Sequence, residues 1–459
     1  MAASSVLRLV QWKCDAAVVS ANWPSPTVAV GSRIRFFPRR SQIGSSIRIS
    51  NSGSPYWPSP PKSAAAAAVS SSPWLMLPPS FDEETEKMTA YNFYSIAQDK
   101  VVTIKKPMTL SDELLDDDAA VVGSSHGWLC LFNRSTTFDD LILYNPLTRR
   151  HIELPSVNIY NLQGNNIGFH SHHTQWVTRV VISSSTPDDQ DCRALMNYNV
   201  GNRLAFCCPG HTSGYWTPIG ETHLKLDDHL YGRNYEDFVY SPKQNLFYCV
   251  TAFGDFEAWD LRDPHSPTMT PVILSSDKNN YPRAASSEEE LNLKRSCVSR
   301  KYLVIDEETD QLYHVRRFVK DTIRSFSMLY YNSPSDEVDY EFSNPYRTVG
   351  FDVHRVDLEK GELSYMDGGS LDGLAMFVGP NYSFALRASE YPELKPDSIY
   401  FTDVFSPPYW DNGIYGGHDV GIFNYRDRTV SSCYYPVDEV SIRRIVPSPV
   451  WFTPTTTQL

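Results

Sequence analysis

A chain of 459 residues with a formal net charge of −13 has length for several domains or one large repetitive one, and its acidic balance disfavours nucleic-acid binding. Aromatics make up 13% of the residues, and with 32 Pro and 23 Gly they describe short strands joined by many turns, an all-β composition. No run approaches ~18 consecutive apolar residues, which excludes a membrane-spanning helix and with it membrane insertion. The eight cysteines show no C-x-x-C and no regular spacing, so they read as reduced thiols.

The charge is unevenly spread. Residues 1–81 hold eight basic residues and one acidic residue, Asp15, so the rest of the chain is more acidic than the total. Residues 1–55 are rich in Arg and Ser, the composition of an organelle transit peptide, which stays disordered for import; a disordered tail without an address is the plain alternative. Residues 56–80, with "SPPKSAAAAAVSSSP", form a Ser/Pro/Ala low-complexity linker. The folded part is assigned to 81–445, beginning near Trp74 to Tyr91, with a C-terminal tail at 446–459.

From there the signals are strands. "YNFYSI" and "KVVTI" flank Ala97-Gln98-Asp99 and predict a hairpin. A weak repeat follows, an apolar strand, an Asn or Asp, a few turn residues and another strand: "LILYNPLTRRHIEL", "FEAWDLRDPHSPTMTPVIL", "YLVIDEETDQLYHVRRF", "FDVHRVDLEKGELSYM" and "VGIFNYRDRTVSSCYY". Its turn residues are Asn145, Asp260, Asp306, Asp357 and Asn424, whose side chains suit a turn because they accept from the backbone two residues on. Their intervals approach the ~40 to 50 residues of a propeller blade, and "RALMNYNVGNRLAFCC" supplies strands for a unit missing after the first. The prediction is a β-propeller of about six four-stranded blades, with a β-sandwich pair as the alternative. An open ring would leave two unpaired edges, so Tyr91–Ile104 and the late strands Asp419–Tyr435 are expected in the same or adjacent blades.

Gly123-Ser124-Ser125-His126-Gly127 fits the G-x-S-x-G pattern of a hydrolase nucleophile elbow, which needs a helix after the turn. Trp128 to Asn133 is aromatic and apolar with no helix start. The segment therefore reads as a strand-to-strand passage in which glycines allow tight packing and Trp128 anchors a blade, and no catalytic residue is assigned. His170, His172 and His173, and His223 with His229, lack metal-ligand spacing, so no metal or cofactor is expected. Cys207 and Cys208 are adjacent on a strand and should face opposite sides, one in the core and one half-exposed. The acidic runs at Ser111–Asp118 and Ser286–Glu290 read as solvated loops. "FSPPYWDNGIYGGHD", Phe405 to Asp419, stands apart. It sets Tyr409, Trp410, Tyr415 and His418 among prolines and glycines, a candidate partner-binding loop, with Trp410 folding back to cap the ring as the alternative.

"SSHGWLCLF", "LILYNPLTRRHIELP", "RKYLVIDEETDQLYHVRRF", "FDVHRVDLEKGELSYMDGGSLDGLAMFVGPNYSFALRASEYPELKPDSIYFTD" and "HDVGIFNYRDRTVSSCYYP" resemble, in this order, the plant domain called DUF295, or KIB1-4 β-propeller, from about Pro73 to Pro436. In most of that family an N-terminal F-box docks on an SCF ubiquitin ligase and the propeller holds the substrate. Nothing before Trp74 resembles an F-box. The chain is instead similar to the organellar branch, for which the resemblance implies mitochondria, with chloroplasts second. The family assigns no catalytic residues. The expected function is thus a non-enzymatic protein-interaction propeller in a plant organelle, its protein partner unidentified. An enzyme or small-ligand protein using the central channel and an SCF substrate-binding subunit are the alternatives.

Overall fold

In the computed structural model residues 72–454 are described apart from 83, 86, 107–119, 135–138, 156–176, 199–202, 211–213, 221–223, 227–228, 232, 274–286, 322–344, 404–414 and 438–443. Within them short apolar runs pair with their neighbours in sequence and give six blades. The first contains β1 (Trp74–Phe81), β2 (Met88–Ser95) and β3 (Lys100–Lys105); the second β4 (Ala120–Ser125), β5 (Trp128–Arg134), β6 (Asp139–Asn145) and β7 (Arg150–Glu153). The third is β8 (Val177–Ile182), β9 (Ala194–Tyr198), β10 (Arg203–Cys207) and β11 (Thr217–Ile219). A two-stranded ribbon, β12 (Leu224–Leu226) with β13 (His229–Tyr231), precedes the fourth blade: β14 (Tyr235–Ser241), β15 (Leu246–Thr251), β16 (Phe256–Asp260) and β17 (Thr268–Ile273). The fifth is β18 (Val298–Asp306), β19 (Gln311–Asp321), β20 (Tyr346–Asp357) and β21 (Glu362–Tyr365).

Blade 6 departs from the antiparallel meander of the others. It comprises β22 (Leu374–Val378), β23 (Phe384–Arg387), β24 (Ser398–Phe401), β25 (Gly421–Asn424) and β26 (Thr429–Ser431). β22 runs parallel to β24, while β23 pairs antiparallel with β22 and meets β18 in parallel at Ile305 and Phe384. β23 therefore stands between blades 5 and 6, nearest the axis, and joins them into one nine-stranded sheet.

The ring closes at a place the sequence did not suggest. A three-residue strand, β27 (Val450–Phe452), pairs with β1 through Trp74 to Phe452, Leu75 to Trp451 and Met76 to Val450. The folded part thus extends beyond the expected limits of 81 and 445, and the supposed tail supplies the innermost strand of blade 1. "VWF" is too short to show alternation, so periodicity could not mark it. The late strands build the outer part of blade 6, so Tyr91–Ile104 and Asp419–Tyr435 stand in adjacent blades as expected, with blade 6 meeting blade 1 through Phe377 on Trp451 at 5.2 Å and Tyr94 on Tyr434 at 5.1 Å between ring centroids.

The turn residues behave as expected. Asn145 Oδ1 accepts the amides of Leu147 and Thr148 at 3.0 Å each, and Asn424 and Asp357 take their turns in the same way. Asp306 and Asp260 accept the amides of Glu308 and Arg262. Their places in the blades are not equivalent. Asn145, Asp260, Asp357 and Asn424 each end the strand before the outermost one, whereas Asp306 ends the innermost strand of blade 5. The units at Asp306 and Asp357 are therefore one blade, and the sixth is the blade shared by the two ends of the folded region.

Apolar side chains fill the seams. Trp74, Phe93, Leu131, Tyr144 and Phe452 pack blade 1 on blade 2, and Trp128, Phe132, Val180 and Met196 pack blade 2 on blade 3. The acidic run at Ser286–Glu290 is not a loop throughout. Ser287 caps a helix, α1 (Glu288–Arg295), by accepting from the Glu290 amide, and three glutamates in its first turn complement the helix dipole. Among the described residues no helix is long and apolar enough to cross a membrane.

Candidate functional site

Ser125 ends β4, and the chain turns back through His126 (φ 48°) and Gly127 (φ 83°) into β5, with Ser125 opposite Trp128. Two successive positive φ values make the tight hairpin turn that suits strand twist. No helix follows, and the hydroxyl is buried between the amide and carbonyl of Ile182, 3.3 Å from each. The passage fixes the inner edge of blade 2. A Cβ on Gly123 would stand 2.7 Å from the carbonyl oxygen of Val180, and Trp128 donates from Nε1 to Ser185 O at 2.9 Å.

The ring axis holds a polar cluster that no motif announced. Between β22 and β23 the chain crosses the axis as Gly379-Pro380-Asn381-Tyr382-Ser383. The Tyr382 amide donates to Ser124 O of blade 2 at 2.7 Å, and its single hydroxyl proton is shared between Tyr240 O of blade 4 and Glu307 Oε1 of the blade 5 turn, 3.1 Å from each. Arg179 of blade 3 donates to the carbonyls of Gly379 and Asn381 and pairs with Asp237 of blade 4 at 2.8 Å. Asp237 also accepts from the Leu303 amide and the Ser383 hydroxyl, 3.0 Å each. Five blades therefore converge on one crossing segment. Asp237, Asn381 and Ser383 are fully buried and Arg179 is 6% exposed, so at this level the chain itself occupies the axis. Burial pushes the Asp237 carboxyl up, to about 6, against the opposing pull of Arg179 and of the amides of Leu303 and Phe238.

A second buried cluster lies between blades 5 and 6. Arg317, fully buried, donates to Thr348 Oγ1, Thr402 O and Asp419 Oδ2, each at 2.7 Å. Asp419 also accepts from the Thr348 amide and hydroxyl, and Asp403 accepts from the Tyr346 hydroxyl at 2.6 Å. His418 accepts from the Gly416 amide at Nδ1, its Nε2 lies 3.0 Å from Tyr346 O, and its ring packs on Tyr346 and Tyr415. The carbonyl takes a proton from Nε2–H and the amide gives one to Nδ1, so this geometry fits the neutral Nε2–H tautomer.

Of the candidate loop residues, Tyr409 and Trp410 lie outside the described residues. Tyr415 is half-buried, and His418, 8% exposed, is an internal anchor rather than a presented side chain. The two clusters were missed because each is assembled from distant strands. The visible signal was a charge inside an apolar run, Arg179 in "VTRVVI" and Arg317 in "LYHVRRFV", which folding must either expose or pair.

His170, His172, His173 and His223 lie outside the described residues, as does the acidic run at 111–118. Among the described residues no group of three or more His, Cys, Asp or Glu is placed to hold a metal. The seven described cysteines are free. Cys207 is buried and Cys208 half-buried, but Cys208 lies just past the end of β10, whose residues are all buried, so strand alternation is not the cause; burial pushes the Cys207 thiol well up, away from reactivity.

No curated protein matches the chain. Among solved structures, a protein described as a 6-phosphogluconolactonase from Bacteroides uniformis is 12% identical over 64% of this chain and 81% of its own, with a TM-score of 0.30. A nidogen/laminin complex is 6% identical over 64% and 92%, at 0.29, and the Cps50 (Swd1) propeller of Myceliophteria thermophila 9% over 65% and 88%, at 0.26. The model of the KIB1-4 beta-propeller family matches residues 93–424, which runs from the second strand of blade 1 to the turn of blade 6, and the chain belongs to that family.

Proposed function

We propose that this propeller is a non-enzymatic protein-interaction module, carried into a plant mitochondrion by its basic N-terminal segment, and that it engages its partner through the rim rather than the channel. The segment that crosses the axis is the observation that carries this reading. A ligand site in a propeller channel needs a concave space lined by convergent polar groups, and here Gly379–Ser383 occupies the axis and hydrogen-bonds to four other blades. The sequence supplies Tyr409 and Trp410, aromatic residues of the kind that dominate interface energies, although both lie outside the described residues. The described residues that flank them, Asp403 and Tyr415, are held by Tyr346 and His418 beside the Arg317 cluster, and anchored flanks lower the entropy lost on binding.

Proximity labelling from the full chain in isolated organelles tests the reading. A reproducible set of matrix neighbours, lost in Tyr409→Ala/Trp410→Ala without a change in melting temperature, is the expected result. Residues 1–80 fused to a fluorescent protein should direct it to mitochondria; a diffuse signal would sink the targeting part. An unchanged neighbour set in the double variant would sink the loop.

A further inference from the structure

The face of blade 5 that packs on blade 4 carries two imidazoles in register. His314 on β19 stands directly opposite His354 on β20, with ring centroids 5.8 Å apart. They are 0% and 2% exposed. Phe256 of blade 4 closes one side, edge-on to His314 at 5.3 Å, and Tyr365 closes the other, 5.3 Å from His354. The stack of Phe256, His314, His354 and Tyr365 therefore runs from blade 4 across blade 5.

The charged groups around this stack are mixed, and most of them face one another. Two residues along the strands, Lys301, Arg316 and Asp352 lie side by side across β18, β19 and β20. Lys301 is held by Glu236 of blade 4 and by Ala252 O, and Lys294 from α1 bonds Asp352 at 2.8 Å and Glu290. Arg428 of blade 6 adds a second cation on Asp352 at 3.3 Å. The carboxylates within reach are thus already shared among cations. A proton on either imidazole would add a buried positive charge beside Lys301 and Arg316, and beside the other ring.

We propose that the seam between blades 4 and 5 is an acid-sensitive latch, held shut by the neutral His314–His354 stack and loosened ahead of the other seams when either ring takes up a proton. Burial, with the nearby cations, lowers the His354 value to about 4 and that of His314 well below its ordinary range. The sign follows from linkage. A histidine of depressed folded value binds fewer protons folded than unfolded, so its contribution is whole above about 6.5 and is lost as pH falls toward 4. Two carboxyls at the same seam act oppositely. Burial raises Asp237 and Asp352, so their contribution grows as pH falls, and the latch is read as a difference between proteins.

The inner end of the seam is built to hold while the outer end opens. A register shift in β14 between Tyr235 and Asp237 accompanies the turning of two successive carboxylates onto blade 5, where Glu236 accepts the Lys301 amide at 2.7 Å and Asp237 that of Leu303. These bonds lie toward the axis, the histidine stack toward the rim.

The test compares the full chain with His314→Gln/His354→Gln by hydrogen exchange, corrected for intrinsic rate, at pH 7 and pH 5. In the wild type, opening of peptides from β16, β19 and β20 should rise on the order of 20-fold at pH 5 for one such histidine, with β5 and β6 of blade 2 as the unchanged reference. In the double variant that rise should vanish. A rise equal in all blades, or one that persists in the variant, would overturn the latch. Should the variant fail to fold, histidine-ring NMR of the wild type decides: two rings still neutral at pH 5 support the proposal, and all described rings titrating near 6.5 would refute it.

Discussion

Blades 2 and 6 both bring the chain back at the axis, the first in two residues and the second in five. In blade 2, His126 and Gly127 reverse the chain locally, and the turn depends on its own backbone angles and on Trp128 beside it. In blade 6 the return from β22 to β23 reaches across the axis and takes its hydrogen bonds from blades 2, 3, 4 and 5. A local turn stabilises one blade, whereas a crossing segment couples several. The same strand-turn-strand grammar therefore gives both a repeat and the plug that makes the ring one unit.

The sharpest way to break the comparison is at Asp237. Truncation to Ala leaves the Arg179 guanidinium buried without its carboxylate, which should cost about 3–5 kcal/mol, read from urea unfolding. If the crossing segment couples the blades, the transition should also broaden or split, because the loss falls on contacts shared by blades 3 to 6. A fall below about 1 kcal/mol would mean that the axis is not a point of coupling. Replacing both partners, Arg179→Met/Asp237→Leu, removes the unpaired charge but leaves the carbonyls of Gly379 and Asn381 and the Leu303 amide without their partners, so it should recover only part of the loss.

A smaller effect is expected in blade 2. Gly123→Ala places a Cβ 2.7 Å from the backbone oxygen of Val180, and a backbone atom cannot rotate away as a side chain can. The inner strands β4 and β8 would have to separate, at a cost of about 1–3 kcal/mol. The transition should remain single, since only the seam between blades 2 and 3 is strained. Ser125→Ala should cost less, about 1 kcal/mol for the paired hydroxyl. Purified protein should take up no fluorophosphonate probe with or without Ser125, and labelling that depends on it would contradict the hairpin geometry.

Blade 2 was readable from the sequence because its determinants are close together: two glycines, a tryptophan and an Asn turn within about one blade length. The hairpin of β2 and β3 and the turns at Asn145 and Asp357 were readable for the same reason. The axis was not, because Arg179 meets Asn381 and Asp237 only after four blades have folded. Periodicity also miscounted within blade 5, whose first and third strands both end in Asp turns, Asp306 and Asp357. Alternation reports that a strand exists and which way it faces. It carries nothing about which strand stands nearest the axis, and a strand as short as β27 escapes it altogether.

The turn itself provides the finest contrast. After Asn145, Asp306, Asp357 and Asn424 the residue four positions on donates its amide back to the turn carbonyl and takes a positive φ: Arg149 at 60°, Asp310 at 64°, Gly361 at 66° and Arg428 at 58°. Three of the four are side chains that the left-handed region penalises. At Asp310 and Arg428 the side chain is engaged, with Ser241 and Gln244 in the first case and with Asp352 and Phe351 O in the second. Among the described residues the Arg149 side chain makes no hydrogen bond, so Arg149→Gly should relieve backbone strain with little lost. The gain is partly offset by the greater freedom of glycine in the unfolded chain, leaving a net stabilisation of a few tenths of a kcal/mol. Gly361→Ala should have the opposite sign, since its Cβ would meet Val272 O at 2.7 Å as well as the unfavourable φ. If both substitutions shift the urea midpoint in the same direction, strain at this position is not what distinguishes the turns.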